Sequence, residues 1–303
     1  MSLMRPILNA YLRLTEKPYL ARVARPISLR QSFEAKARLF FHPPLGTRFR
    51  QGEIAGVPVT SVRAPWVAEA DGPLILYFHG GGYVFGSPRT HRAMLAWLSR
   101  AAQAPACLPD YAKAPEHAFP AAVEDALAIY RAVMDRPGGV VLGGDSAGGG
   151  LALALLGEIC RLNLPRPLGC FGLSPLTDLG HGGESLMRNA QAEVLLPAAR
   201  AAELAEMYLQ GADPDDPRAS PLRAGFDGAG PVWLTAGDTE ILLDDTRRMT
   251  SHLRDQGIEV TEVIERDLPH VWPIFHNTLP EARETLTAIA AWISSLSPVT
   301  DDS

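Results

Sequence analysis

A serine, a histidine and a group of carboxylates are spaced in this 303-residue chain as acyl chemistry would need them. Ser146 sits in Gly144-Asp145-Ser146-Ala147-Gly148-Gly149, directly after the apolar run Val140-Val141-Leu142-Gly143. Small flanking residues suit a nucleophile on a sharp strand-to-helix turn, where a strained backbone runs close to its neighbours. A serine hydroxyl is a weak nucleophile near neutrality and needs an adjacent base. His270, in Leu268-Pro269-His270-Val271-Trp272, titrates in the right range for that task. Between the two, the apolar run before Thr235 ends in Asp238, Glu240, Asp244 and Asp245, any of which could orient the imidazole. Upstream, His79-Gly80-Gly81-Gly82 follows the apolar segment Leu74–Phe78. Three glycines let backbone N–H groups turn toward a ligand, and the amides of Gly81, Gly82 and Ala147 are the expected donors to an oxyanion. His79 reads as the residue that holds this loop. Tyr83, Val84, Phe85 and Trp272 flank the motifs and are candidates to line an acyl pocket, with core packing as the alternative.

The order Ser, acid, His, with a G-x-S-x-G elbow and a histidine-glycine loop, is that of the α/β hydrolases. The chain resembles the hormone-sensitive lipase family of bacterial esterases, the family IV lipolytic enzymes, in its branch with Gly-Asp-Ser-Ala-Gly-Gly at the elbow. Tyr111-Ala112-Lys113-Ala114-Pro115-Glu116 is similar to the family's Tyr-Arg-Leu-Ala-Pro-Glu segment, and Ser174-Pro175-Leu176-Thr177-Asp178 to its Ser-Pro-x-x-Asp segment. The likeness covers roughly residues 70–295. It implies Ser146 as nucleophile and His270 as base. Most members carry Asp-Pro-Leu where this chain has Glu240-Ile241-Leu242, so the resemblance points to Glu240 as the acid, with Asp238 or Asp244 as alternatives. Asp145, Glu116 and Asp178 read as framework groups. The activity implied is that of a serine carboxylesterase acting on small esters of short to medium acyl chains through an acyl-enzyme. An amidase, lactonase or deacetylase could use the same triad, and a non-catalytic small-molecule receptor could use the same fold. No metal or organic cofactor is implied. Homodimerisation through the edge of the last strand is common among similar proteins.

Positioning these residues takes an alternation of strands and helices, the pattern of a mostly parallel sheet covered on both faces. Strands are predicted near 48–54, 57–64, 74–79, 104–109, 139–145, 168–174, 231–236 and 258–265, and helices near 92–102, 121–134, 147–162, 245–256 and 281–295. The expected fold is therefore α/β, an α/β hydrolase with an eight-stranded sheet and a helical cap. Two stretches of helical periodicity, within 6–41 and 195–209, lie outside the alternation. The expected organisation is an N-terminal helical cap segment over 1–45 and a catalytic domain over 46–298. A second cap segment falls near 180–212, and a frayed tail over 299–303.

Composition excludes more than it asserts. The net charge is −6, with 28 Lys and Arg against 34 Asp and Glu, and no basic run is interleaved with aromatics, so a nucleic-acid partner is not expected. No run approaches the ~18 apolar residues of a membrane span and no secretory leader is recognisable. Cys107, Cys160 and Cys170 lack metal-ligand spacing and read as reduced thiols. A soluble cytoplasmic protein is expected. The mixed character of 195–209 speaks against the broad apolar lid of an interfacial lipase.

Overall fold

The computed structural model describes residues 2–67 and 72–296. The predicted tail at 299–303 lies outside the described residues. Eight strands form one sheet: β1 (Arg48–Ile54), β2 (Val57–Arg63), β3 (Leu74–Phe78), β4 (Ala106–Pro109), β5 (Val140–Asp145), β6 (Gly169–Leu173), β7 (Val232–Gly237) and β8 (Val260–Glu265). Their spatial order is β1-β2-β4-β3-β5-β6-β7-β8. Pairing is parallel from β4 through β8, while β2 runs antiparallel to both β1 and β4. This is the eight-stranded, mostly parallel α/β-hydrolase sheet.

The central strands are buried on both faces and read as apolar runs, as a parallel sheet requires. Every residue of Leu74–Phe78 and Val140–Asp145 is buried. Helices α4 (Pro88–Ala102), α5 (Ala121–Val133), α6 (Ala147–Arg161), α9 (Leu243–Asp255) and α10 (Pro280–Ser295) cover the faces. Leu76, Phe78, Leu142 and Leu151 meet on one side of the sheet; Ile75, Tyr77, Val141, Phe171 and Leu286 meet on the other. The alternation of β3 residues between the two clusters is the period-two geometry of a strand. Helix α4 begins at Pro88, four residues before the predicted start, because Ser87 and Thr90 form a reciprocal capping box around a proline in the first turn.

Outside the sheet and its covering helices, the N-terminal segment folds as α1 (Met4–Tyr11), a π-helical turn over Leu12–Glu16, α2 (Lys17–Arg22) and α3 (Pro26–Phe40). Pro18 has no N–H to offer Leu14, and the helix widens to a π turn where that bond is missing. Between β6 and β7 the chain forms α7 (Ser185–Arg188) and α8 (Ala201–Leu209). The predicted 195–209 helix starts late because Pro197 precedes a 3₁₀ turn over Ala198–Arg200.

Candidate active site

Because β3, β5, β7 and β8 run parallel, their C-terminal ends lie along one edge of the sheet, where open α/β sheets bind ligands. Ser146 follows β5, the glycine loop follows β3, Glu240 follows β7 and His270 follows β8. The topology thus gathers residues separated by up to 190 positions.

At the elbow, Ser146 takes φ 51° and ψ −124°, a conformation that non-glycine residues rarely hold. Its amide donates to Leu173 O at 2.9 Å, and its carbonyl accepts from Leu176 N at 2.9 Å and Gly150 N at 3.0 Å. The flanking glycines are sterically required: a Cβ on Gly144 would lie 2.1 Å from Gly148 O, and one on Gly148 would lie 2.1 Å from Phe78 O. Buried Asp145 ties the elbow to the glycine loop. Its Oδ1 accepts from Gly80 N at 3.0 Å and from the Tyr77 hydroxyl at 2.8 Å, and its Oδ2 lies 3.2 Å from His91 Nε2.

The loop turns back on itself through bonds from Val84 N and Phe85 N to Gly81 O, with Gly81 at φ +127°. The amides of Gly81, Gly82 and Ala147 donate no hydrogen bond among the described residues, which leaves three backbone donors unused. His79 is fully buried, stacked on Tyr111 with centroids 4.4 Å apart, and its carbonyl accepts from the Tyr111 hydroxyl at 2.6 Å. Burial pushes its pKa well down, so it stays neutral.

His270 Nδ1 lies 2.7 Å from Glu240 Oε2, and both side chains are buried. Burial disfavours a charged His270. The Glu240 carboxylate outweighs that cost, with help from Glu193 and Asp145, and the pKa lies above the ordinary imidazole value. Its Nε2 has no hydrogen-bond partner, and it shares a cavity with Ser146. The other carboxylates are engaged elsewhere: Asp238 accepts from Asp267 N at 2.7 Å, while Asp244 accepts from Ser185 N at 2.8 Å and Arg188 at 2.9 Å.

Three residues of the site escaped the sequence reading. Fully buried Ser174 donates to Glu240 Oε1 at 2.8 Å and accepts from Val271 N at 3.1 Å, joining the Glu240 loop to the His270 loop. Val271 sits at φ 52°, a strained position for a β-branched residue. Asn189 donates to the carbonyls of Asp238 and Glu240. Buried Glu193 accepts from Leu195 N at 2.8 Å and Ile241 N at 3.3 Å; burial raises its pKa. The only sequence signal was a lone glutamate in the apolar stretch Ala192–Leu196.

The cavity holds about 480 Å³ and is walled mainly by apolar side chains from α1, the π turn, α3, α8 and the glycine loop, among them Leu8, Leu12, Phe33 and Leu204. Tyr83 and Phe85 are on its wall. Val84 and Trp272, expected there, are not. Val84 is buried in the core after the turn onto Gly81, and the Trp272 indole packs with Leu268 and Leu279 and donates to Thr285 Oγ1 at 3.0 Å.

A serine on a strand-to-helix elbow, a buried carboxylate–imidazole pair and free loop amides on one sheet edge define a serine-type α/β hydrolase. The family described as alpha/beta hydrolase fold matches residues 75–274. An acetyl-hydrolase of Streptomyces hygroscopicus is 39% identical over 242 residues, 78% of this chain and 81% of the relative. A crystal structure of EstE5 soaked with p-nitrophenyl butyrate superposes with a TM-score of 0.90 at 36% identity, covering 97% of this chain and 98% of that one. An esterase from the bacterial hormone-sensitive lipase family gives 0.90 at 34% identity, covering 98% and 99%. The chain belongs to the α/β-hydrolase family, in its bacterial hormone-sensitive lipase branch.

Proposed function

We propose that this chain is a serine carboxylesterase that hydrolyses small esters of short to medium acyl chains. The observation that carries the reading is His270, held by Glu240 at 2.7 Å with Nε2 unpartnered in the cavity of Ser146. In this mechanism His270 Nε2 takes the proton of Ser146 as Oγ attacks the acyl carbonyl. The amides of Gly81, Gly82 and Ala147 donate to the resulting oxyanion. His270 then protonates the departing alkoxide, leaving the acyl group on Ser146. Water, deprotonated by the same imidazole, releases the acid. Glu240 fixes the tautomer and stabilises the imidazolium. The names of the similar proteins, an acetyl-hydrolase and esterases, support ester hydrolysis. An imidazole held by a carboxylate in one cavity with a serine at a strained elbow favours catalysis over binding alone.

The N-terminal segment 1–45 and the segment near 180–212 form the cap in this reading, since helices of both line the cavity. We place the enzyme in the cytoplasm, in keeping with three free thiols, and place pairing of two copies at the β8 edge. Among the described residues no helix is long and apolar enough to cross a membrane.

The test is hydrolysis of p-nitrophenyl esters from acetate to laurate by wild type and Ser146→Ala, with folding of both checked by circular dichroism. Turnover that peaks at short to medium chains and falls on the order of 10⁶-fold in the variant supports the reading. Equal turnover by both proteins would overturn it.

A further inference from the structure

The rim of the cavity is an exposed apolar face. On the N-terminal segment Leu3, Met4, Ile7, Tyr11 and Leu14 recur at helical spacing and are all exposed, Ile7 by 60% and Leu14 by 75%. Leu12, on the other side, is buried. The flank of α1 is pinned to the protein body, through Arg5 to Arg266 O at 2.8 Å and Asn9 to Asp267 O at 3.1 Å, so the apolar side stays outward. The end of α3 extends the face: Phe40 meets Tyr11 edge-on at 6.4 Å, and Leu39 is 65% exposed. Met4, Ile7, Tyr11 and Phe40 also line the cavity that holds Ser146, so the face borders that cavity. A contiguous apolar face of this kind marks an interaction surface.

Charge identifies the partner. Residues 1–42 contain eight Lys and Arg but two Asp and Glu, in a chain whose net charge is −6. The segment thus carries +6 and the rest −12. Both acids are paired, Glu16 with Lys36 and Glu34 with Arg89, and two of the cations, Arg5 and Arg30, pair with Asp267 and Glu116 of the protein body. On the face itself exposed Arg13 and Arg38, and beside it exposed Arg22 at the end of α2 and Arg25 before α3, have no carboxylate at ion-pair distance among the described residues. A basic, outward-facing amphipathic segment combines the two attractions that hold a helix in a lipid interface: burial of apolar side chains and contact with anionic headgroups. A second copy is the poorer partner, because a two-fold contact would set this positive face against itself.

We propose that the face formed by α1, the π turn and the end of α3 docks on an anionic lipid surface, with the cavity mouth opening onto it. The apolar lid absent from 195–209 is supplied by the N-terminal helices. Docking does not depend on the esterase reading, and Ser146→Ala tests the two separately.

The experiment is co-sedimentation of the full chain with phosphatidylcholine vesicles with and without phosphatidylglycerol, at low and high salt. The proteins compared are wild type, Ser146→Ala, Leu14→Asp/Leu39→Asp and Arg22→Gln/Arg25→Gln/Arg38→Gln, none of whose altered residues apart from Ser146 touches the cavity. Wild type and Ser146→Ala are expected to bind the phosphatidylglycerol vesicles and not the neutral ones. Binding falls about tenfold or more in each multiple variant and at high salt. Hydrolysis of p-nitrophenyl acetate in free solution stays at the wild-type rate in both multiple variants. Failure of wild type to bind the anionic vesicles, or binding unchanged in both multiple variants, overturns the proposal. So does a wild-type dimer in sedimentation equilibrium that Leu14→Asp/Leu39→Asp splits.

Discussion

Replacing Ser174 by alanine would remove one oxygen and, with it, a bridge between the Glu240 side chain and the backbone of the His270 loop, which stands beside the direct bonds of Asp267 N to Asp238 and of His270 to Glu240. The hydroxyl donates to Glu240 Oε1 at 2.8 Å and accepts from Val271 N at 3.1 Å. Ser174 is fully buried, so bulk water cannot replace either bond. Its φ of 49° is as unfavourable for alanine as for serine, which leaves backbone strain unchanged. A hydrogen bond to a charged acceptor contributes about 1.5–3 kcal/mol, and an orphaned buried amide costs about 1–3 kcal/mol. These overlap rather than add, and the expected loss of unfolding free energy is about 3 kcal/mol. Glu240 keeps the Gly237 amide at 2.5 Å and His270, so the triad loosens without dissolving. Misplacement of the imidazole by a fraction of an ångström to 1 Å gives a fall of about 10- to 100-fold in kcat, with KM little changed. Steady-state kinetics on p-nitrophenyl butyrate, paired with urea unfolding, read both quantities. Wild-type kcat with wild-type stability would refute the claim that this hydroxyl joins the two loops. Lost stability with untouched kcat would refute the catalytic half alone.

Two further outcomes follow from the buried charges. Glu240→Gln removes the main support for a charged His270 while burial remains; the acidic limb of the kcat/KM profile, expected above the ordinary imidazole value in wild type, should move to lower pH as turnover drops by up to about 10⁴-fold. An unmoved acidic limb in a folded variant would exclude Glu240 as the charge that holds His270. Asp245 is a buried carboxyl that desolvation pushes up to about 7 although it accepts from the amides of Thr177 and Asp178. With its folded pKa above the unfolded value, the native state holds a proton that the unfolded state releases, and stability falls as pH rises from about 4 through about 7. Asp245→Asn keeps an acceptor oxygen and removes that dependence, so its Tm should gain on wild type more at about pH 8 than at about pH 5. An equal difference at both pH values would count against a neutral Asp245.

The parallel sheet was legible because its strands are written as short apolar runs separated by turn residues and helical periods. The boundaries that shifted did so for local reasons, such as the Ser87–Thr90 capping box and Pro197. The chemistry-bearing motifs were legible because each is short: a serine among glycines, a histidine before glycines, a histidine after the last strand. Ser174, Asn189 and Glu193 were not, since their contacts with the Glu240 loop span 48 to 66 positions and no spacing announces them. Val84 and Trp272 show the converse limit, because adjacency to a motif does not say which way a side chain turns.

Tyr83, on the glycine loop, stacks face to face on Tyr208 of α8, with centroids 3.8 Å apart and planes 5° from parallel. Both rings are buried. For anyone who would retailor this enzyme, the two parts of the cavity wall are therefore not equivalent. Helix α1 makes no hydrogen bond or ring contact with the glycine loop among the described residues and can be redrawn to admit different acids while the amides keep their aim, whereas α3 donates from Arg30 to Val84 O at 2.8 Å and packs Phe33 on Phe85. Redrawing α8 presses on a ring three residues from Gly80, so a library built there trades selectivity against turnover in every clone.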